Sequence, residues 1–235
     1  MGPKLFTRVM LALCVFILSA CATKKNPDPM ESWNRQVFEF NDGFDRRVMK
    51  PVAQAYQNVT PQFMRVGVSN FFGNFKDMWA TTNLFLQGRP GDGTRGVMRV
   101  GINSTLGLAG VIDIASPMGL YRFNEDLGQT FGVWGMEPGP YIVWPIFGPS
   151  TLRDSLGLPG DIYFSPTMFS QNAAANNRLR FLSLTNTRAN LLGATGLLDD
   201  VALDPYAFVR AAYLQRRQNL VYNGDPPDED ESEEP

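Results

Sequence analysis

A cysteine separated by only six residues from the first helix-capping signal restricts this chain more than any other feature of its sequence. Leu18-Ser19-Ala20-Cys21 closes a stretch in which Lys4 and Arg8 make a basic start and Val9 to Leu18 is apolar. A basic start, a short apolar centre and small residues at a cleavage point form an export signal. The apolar run is too short to span a bilayer as a stable helix. With cysteine at the cleavage point the pattern is the bacterial lipobox, in which residues 1–20 are removed, the Cys21 thiol takes diacylglycerol and the new amine is acylated. An ordinary signal peptide with an accidental cysteine is the alternative. Several acyl chains, at about 0.8 kcal/mol per buried CH₂, make the attachment effectively permanent. Ala22 follows, where an Asp would signal inner-membrane retention, so the expected address is the periplasmic leaflet of an outer membrane. The tether, residues 21–27, reaches no more than about 25 Å when fully extended. Whatever folds after it must sit on or in the membrane.

Composition narrows the chemistry available to that body. The chain has no histidine, and the only cysteine besides Cys21 is Cys14 inside the apolar run. Ser-His-Asp and Cys-His catalysis, imidazole or thiolate metal sites and the usual acid-base switch near neutral pH are therefore excluded. A Ser-Lys pair would be the remaining familiar nucleophile, and Lys24, Lys25, Lys50 and Lys76 are the only lysines beyond the signal. No catalytic residue and no metal site is assigned. Residues 22–223 carry 19 Lys+Arg against 16 Asp+Glu, whereas 224–235 carry seven acids and no base. Lacking apolar side chains and containing Pro226-Pro227, this tail cannot offset its ordering entropy, so it is expected to be disordered and solvated.

Helical signals dominate residues 28–223, which read as one domain. Asp28, Pro29 and Glu31 suit an N-cap, N1 and N3, and Trp33, Val37, Phe40, Phe44 and Val48 follow at helical spacing, so a helix is expected from about 29 to 49. Thr60-Pro61 opens a second helix with an aromatic stripe through Phe72, Phe75 and Trp79. Asn124-Glu125-Asp126 caps a short helix, residues 172–194 read as helical, and Asp204-Pro205 starts a last helix to about Tyr222. Residues 139–154 are Pro/Gly-broken and apolar, either a short strand or an irregular connection. Gly91-Asp92-Gly93-Thr94-Arg95-Gly96 satisfies G-x-G-x-x-G, but a helical stripe precedes it instead of a strand, so it reads as a glycine turn and not a dinucleotide site. In the short helix, Leu127, Phe131 and Trp134 share one face while Gly128, Gly132 and Gly135 share its neighbour. That bare face suits close packing against another helix or a smooth channel wall. No apolar run after Cys21 is long enough to span a bilayer, and basic residues do not interleave with aromatics as a nucleic-acid surface requires. Permanent acylation, a short tether and aromatic helix faces together suggest helices lying in the plane of the bilayer, although the aromatic stripes taken alone suit a water-soluble core better.

Several long blocks resemble the MlaA (VacJ) lipoproteins of the Gram-negative lipid-asymmetry system: DPMESWNRQVFEFND at 28–42, NFFGNF at 70–75, NLFLQG at 83–88, NSTLGLAGVIDIA at 103–115, LGQTFGVWGMEPGPYIVWPIFGPSTLRD at 127–154 and DPYAFVRAAYLQRR at 204–217. The resemblance implies an all-α disc or ring of amphipathic helices, embedded in the outer membrane around a central amphipathic channel. It implies a non-enzymatic lipoprotein that takes phospholipids from the outer leaflet, associates with a trimeric porin and passes lipid to the soluble periplasmic carrier MlaC. The lipid on Cys21 and the transported phospholipid would be its only non-protein groups. The family has a mobile hairpin beside the channel, which maps to about 102–127, where Gly107, Gly110 and Gly119 suit a hinge, though a buried connection with tight turns suits them equally. Phe40 and Asn41, within the first block, join these glycines as channel candidates. A scaffold lipoprotein without lipid passage is the alternative function. Lipidation is directly testable: globomycin should accumulate a slower-migrating precursor, and Cys21→Ala should leave the outer-membrane fraction. Unchanged mobility, or an outer-membrane Cys21→Ala protein, would refute it.

Overall fold

A computed structural model describes residues 28–164, 172–201 and 203–227. The signal segment, Cys21, the tether and the acidic tail from residue 228 lie outside the described residues. Helix α1 (Glu31–Phe44) passes through a wide π-turn at Asp45–Met49 into α2 (Lys50–Val59), so the helix expected to end near 49 continues for another ten residues. The wide turn lies just ahead of Pro51, which cannot donate to the helical ladder. Then come α3 (Gln62–Leu86), α4 (Pro90–Thr105), α5 (Leu127–Val133), the hairpin β1 (Tyr141–Trp144) and β2 (Gly148–Thr151), α6 (Leu152–Tyr163), α7 (Ala173–Val201) and α8 (Pro205–Val221). The strands are antiparallel, with Tyr141 opposite Thr151 and Trp144 opposite Gly148. Among the described residues, this hairpin is the one sheet in an otherwise helical fold. Among the described residues, no helix is long and apolar enough to cross a membrane.

Caps explain several of these boundaries. Asp126, Thr151 and Asp204 accept the backbone N–H groups of Gln129, Asp154 and Ala207 at the starts of α5, α6 and α8. Asp28, expected to cap α1, does not: Met30 holds that position without a side-chain bond. The Asp28 carboxylate is buried instead, accepting from Asn34 Nδ2 at 2.8 Å, from Arg210 at 2.7 Å and from the Tyr206 hydroxyl. A guanidinium and a phenol stabilise a buried carboxylate more than an exposed helix start would. The glycine-rich segment 91–96 is also not a turn. It forms the first turns of α4, where a Cβ on Gly96 would lie 2.3 Å from Thr81 Oγ1 and one on Gly93 would lie 2.8 Å from the Phe85 ring. The missing side chains let α4 lie directly on α3.

Helix α3 packs on α4, α5 and α7; α5 also meets α6 and α8, α2 meets α7, and α1 and α8 hold the hairpin between them. Apolar packing at the centre is limited to Val37, Tyr141, Val143 and Tyr206, with Phe38, Tyr213 and Leu214 against them. Among the described residues, more polar than apolar side chains are buried, while Trp33, Phe63, Leu106, Trp134, Phe147 and Phe181 stand exposed. Asn34 shows how the inside is held together. Fully buried, it donates to Tyr141 O at 3.0 Å and accepts from Val143 N at 2.8 Å, joining α1 to β1. Asn34→Ala would strand both backbone groups and one bond to Asp28, and should cost about 3 kcal/mol. A thermal melt of the protein in detergent should show a clearly lowered midpoint.

Candidate functional site

Five helices converge on a cavity of about 510 Å³. Helix α3 contributes Phe72, Lys76 and Trp79, α5 and the residues before it contribute Glu125, Asp126 and Gln129, and α6 contributes Asp161. Ser183 of α7 and Tyr213, Arg216, Arg217 and Leu220 of α8 complete much of the wall. The lining is amphipathic, with aromatic rings beside charged heads. Trp79 stacks on Phe164, at the end of α6, with centroids 4.0 Å apart and planes at 8°. The Trp79 indole donates to Asp161 Oδ1 at 2.7 Å, and the Leu127 N–H donates to the same oxygen at 3.0 Å. A smaller cavity of about 180 Å³ shares Phe72, Lys76 and Ser183 with the larger one and extends past Arg122 and Asn186.

One edge of the larger cavity is an ion cluster. Arg217 donates to Asp126 Oδ2 at 2.5 Å and to Asp154 Oδ1 at 2.8 Å, the Tyr213 hydroxyl donates to Asp154 Oδ2 at 2.7 Å, and Arg153 meets Asp154 at 3.2 Å. Burial pushes the Asp126 carboxyl up, but the Arg217 bonds and charge together with the Gln129 donors outweigh it and hold the pKa below the ordinary value. Asp161 goes the other way. Burial raises it, the Trp79 and Leu127 donors only partly offset that, and the Asp126 charge adds to the rise.

A second buried network ties the segment after α4 to α3. Arg99, almost fully buried, donates through Nε to Asp77 at 2.9 Å, through one terminal nitrogen to Asp113 at 2.9 Å and through the other to Leu120 O at 2.6 Å. Arg122 reaches the other Asp77 oxygen at 2.8 Å. Asn103 accepts from the Ile114 and Ala115 N–H groups and donates to Asp113. Burial pushes the Asp113 carboxyl up, yet the Arg99, Ser116 and Asn103 bonds hold it well below the carboxylate range.

The glycines singled out in the sequence divide between packing and turns. A Cβ on Gly128 would sit 2.5 Å from Asp154 Oδ1, and one on Gly132 would sit 2.9 Å from Arg153 and Val221. This face is therefore filled by α6, α8 and the ion cluster and does not form an open channel wall. Gly135 leaves the stripe altogether, because α5 ends at Val133 and Gly135 takes a φ of 93°. Gly107 lies in a tight turn where a Cβ would meet Ile112 O at 2.2 Å. Gly110, at φ 89°, abuts Asn74, and Gly119, at φ 81°, ends a short 3₁₀ turn at Ser116–Met118 in open space. Phe40 is exposed on α1. Asn41 staples α1 to the hairpin, donating to Trp144 O at 3.0 Å and accepting from Ile146 N at 2.7 Å. None of these candidates lines the two cavities described above. Lys76, Asp161, Arg216 and Arg217 do line the larger one, and sequence reasoning passed over their grouping because they stand on separate helices with no common spacing.

Comparison with known proteins places this architecture. A family model described as MlaA lipoprotein matches residues 26–220. The chain is 35% identical over 224 residues, covering 92% of itself and 88% of the relative, to the intermembrane phospholipid transport system lipoprotein MlaA of Escherichia coli (strain K12). It is 28% identical over 232 residues, 94% of itself and 92% of the relative, to the protein of the same name from Haemophilus influenzae. A solved structure described as "Structural basis for maintenance of bacterial outer membrane lipid asymmetry" matches with a TM-score of 0.70 at 34% identity, over 83% of this chain and 98% of that one.

The half-buried carboxylates give the fold a defined response to acid. Asp113 and Asp126 have folded pKa values below their unfolded ones, so their contribution is fully present above the ordinary carboxylate value and is lost as pH falls through the folded value. Asp161 opposes this, but it is one group against two. The melting midpoint in detergent should therefore begin to fall as pH drops below about 4 and keep falling under stronger acid. Asp126→Asn, already less stable at neutral pH, should show a shallower fall over the same range.

Proposed function

The chain belongs to the MlaA lipoprotein family, and on that premise we propose that it removes phospholipids misplaced in the outer leaflet of the outer membrane and passes them to a soluble periplasmic carrier of the MlaC type. The observation that carries this reading is a partly open amphipathic cavity among helices that also carry many exposed aromatic and aliphatic side chains. A phospholipid needs both kinds of lining at once, since its headgroup is charged and its chains are not. The exposed aromatic and aliphatic faces suit helices lying in the plane of the bilayer, with Cys21 as the covalent anchor and a trimeric porin as lateral partner. In this arrangement the two adjoining cavities form part of the channel, and the turns at Gly107, Gly110 and Gly119 border it as the hinge of a hairpin.

A carrier of this kind needs no nucleophile, consistent with the missing histidine. The test is outer-leaflet phospholipid accessibility in intact cells. Deletion should raise it several-fold, the wild-type gene should restore it, and the purified protein should carry phospholipid in detergent. Unchanged accessibility and a lipid-free protein would favour a scaffold lipoprotein instead.

A further inference from the structure

Lys76 stands where the two cavities meet, since both are lined by it. Most charged side chains on these walls are matched: Arg217 with Asp126, Glu125 with Arg89, and Arg122 with Asp77. Lys76 and Arg216 are different. Both are exposed, and among the described residues neither has a carboxylate partner. Asp161 also lacks a cation, but one of its oxygens is committed to Trp79 and Leu127. Two unmatched cations on different helices thus stand in a wall otherwise supplied with Phe72, Trp79, Phe164 and Leu220. An anion that enters here meets two charge-assisted hydrogen-bond donors beside apolar side chains.

From this pairing we infer that Lys76 and Arg216 grip the phosphodiester of a phospholipid inside the cavity, with its acyl chains against Trp79, Phe164 and Leu220. The inference rests on the lipid-carrying reading above and assigns its headgroup contacts. The guanidinium offers a planar fork suited to two phosphate oxygens, while the lysine is a point charge on a flexible stem. Because Lys76 borders both cavities, it can keep hold of the phosphate as the lipid moves from one to the other.

Calorimetric titration of the full-length protein in a neutral detergent tests this, with dihexanoyl phosphatidylglycerol as probe and dihexanoylglycerol, which lacks the phosphate, as control. Lys76→Gln and Arg216→Gln should each weaken phosphatidylglycerol binding about tenfold, the effect of one charge-assisted hydrogen bond. Both should leave dihexanoylglycerol binding unchanged, and Lys76→Arg should retain most of the phosphatidylglycerol affinity. Added salt should weaken the phosphatidylglycerol complex alone. Variants with native circular dichroism and native phosphatidylglycerol affinity would overturn the headgroup assignment while leaving the lipid-carrying reading intact. A wild-type protein that binds neither lipid would overturn that reading and the inference with it. Inorganic phosphate binding as tightly as phosphatidylglycerol would reassign the site to a free anion and overturn it too.

Discussion

The Asp77 carboxylate, held between Arg99 and Arg122, represents the constraint under which the whole fold is built. Apolar packing at the centre is limited to a few residues around Val37, Tyr141, Val143 and Tyr206, so it alone does not fix how the helices meet. Polar groups buried between the helices do, because their bonds are directional and costly to leave unmade. Buried ion pairs add little net stability against a well-packed apolar substitute, yet removing one partner is severe. What they contribute here is a unique arrangement: Arg99 fixes the segment after α4, Arg217 fixes α8 to α5 and α6, and Asn34 fixes α1 to the hairpin.

Periodicity and caps made the helices legible, and Asp126 and Asp204 mark real starts. Failures occurred where a residue with a strong local preference found a better tertiary partner. Asp28 has the local chemistry of a cap but the surroundings of a buried ion, and a cap pattern contains nothing about Arg210. Gly91 to Gly96 have the composition of a turn, but glycine also permits two helices to touch, and only the Thr81 and Phe85 contacts distinguish these uses. The aromatic stripe of α3 was legible as a stripe and ambiguous as to what it faces.

The site was less legible than the fold. Lys76 and Arg216 are separated by most of the domain and share no motif, so only the packing of α3, α7 and α8 brings them to one cavity. The paired glycines of α5 were visible in the sequence, but a bare helix face is equally suited to a neighbouring helix and to open space. Here the neighbour is an ion cluster with no local signature, because Asp154 lies in the first turn of α6 and Arg217 in the fourth turn of α8.

The contact between Asp28 and the last helix joins residues 178 and 182 positions apart. Such a closure makes the order of events in biogenesis matter. Asp28 is among the first residues to follow the anchor, and its partners are among the last to leave the export machinery. Until Tyr206 and Arg210 arrive, the carboxylate lacks its phenol and guanidinium partners, so burying it early is costly. Contacts this distant in sequence also form slowly. The clasp therefore makes the start of the fold depend on its end: a chain lacking α8 would leave the Asp28 carboxylate without Tyr206 and Arg210, and the helices around it less firmly closed.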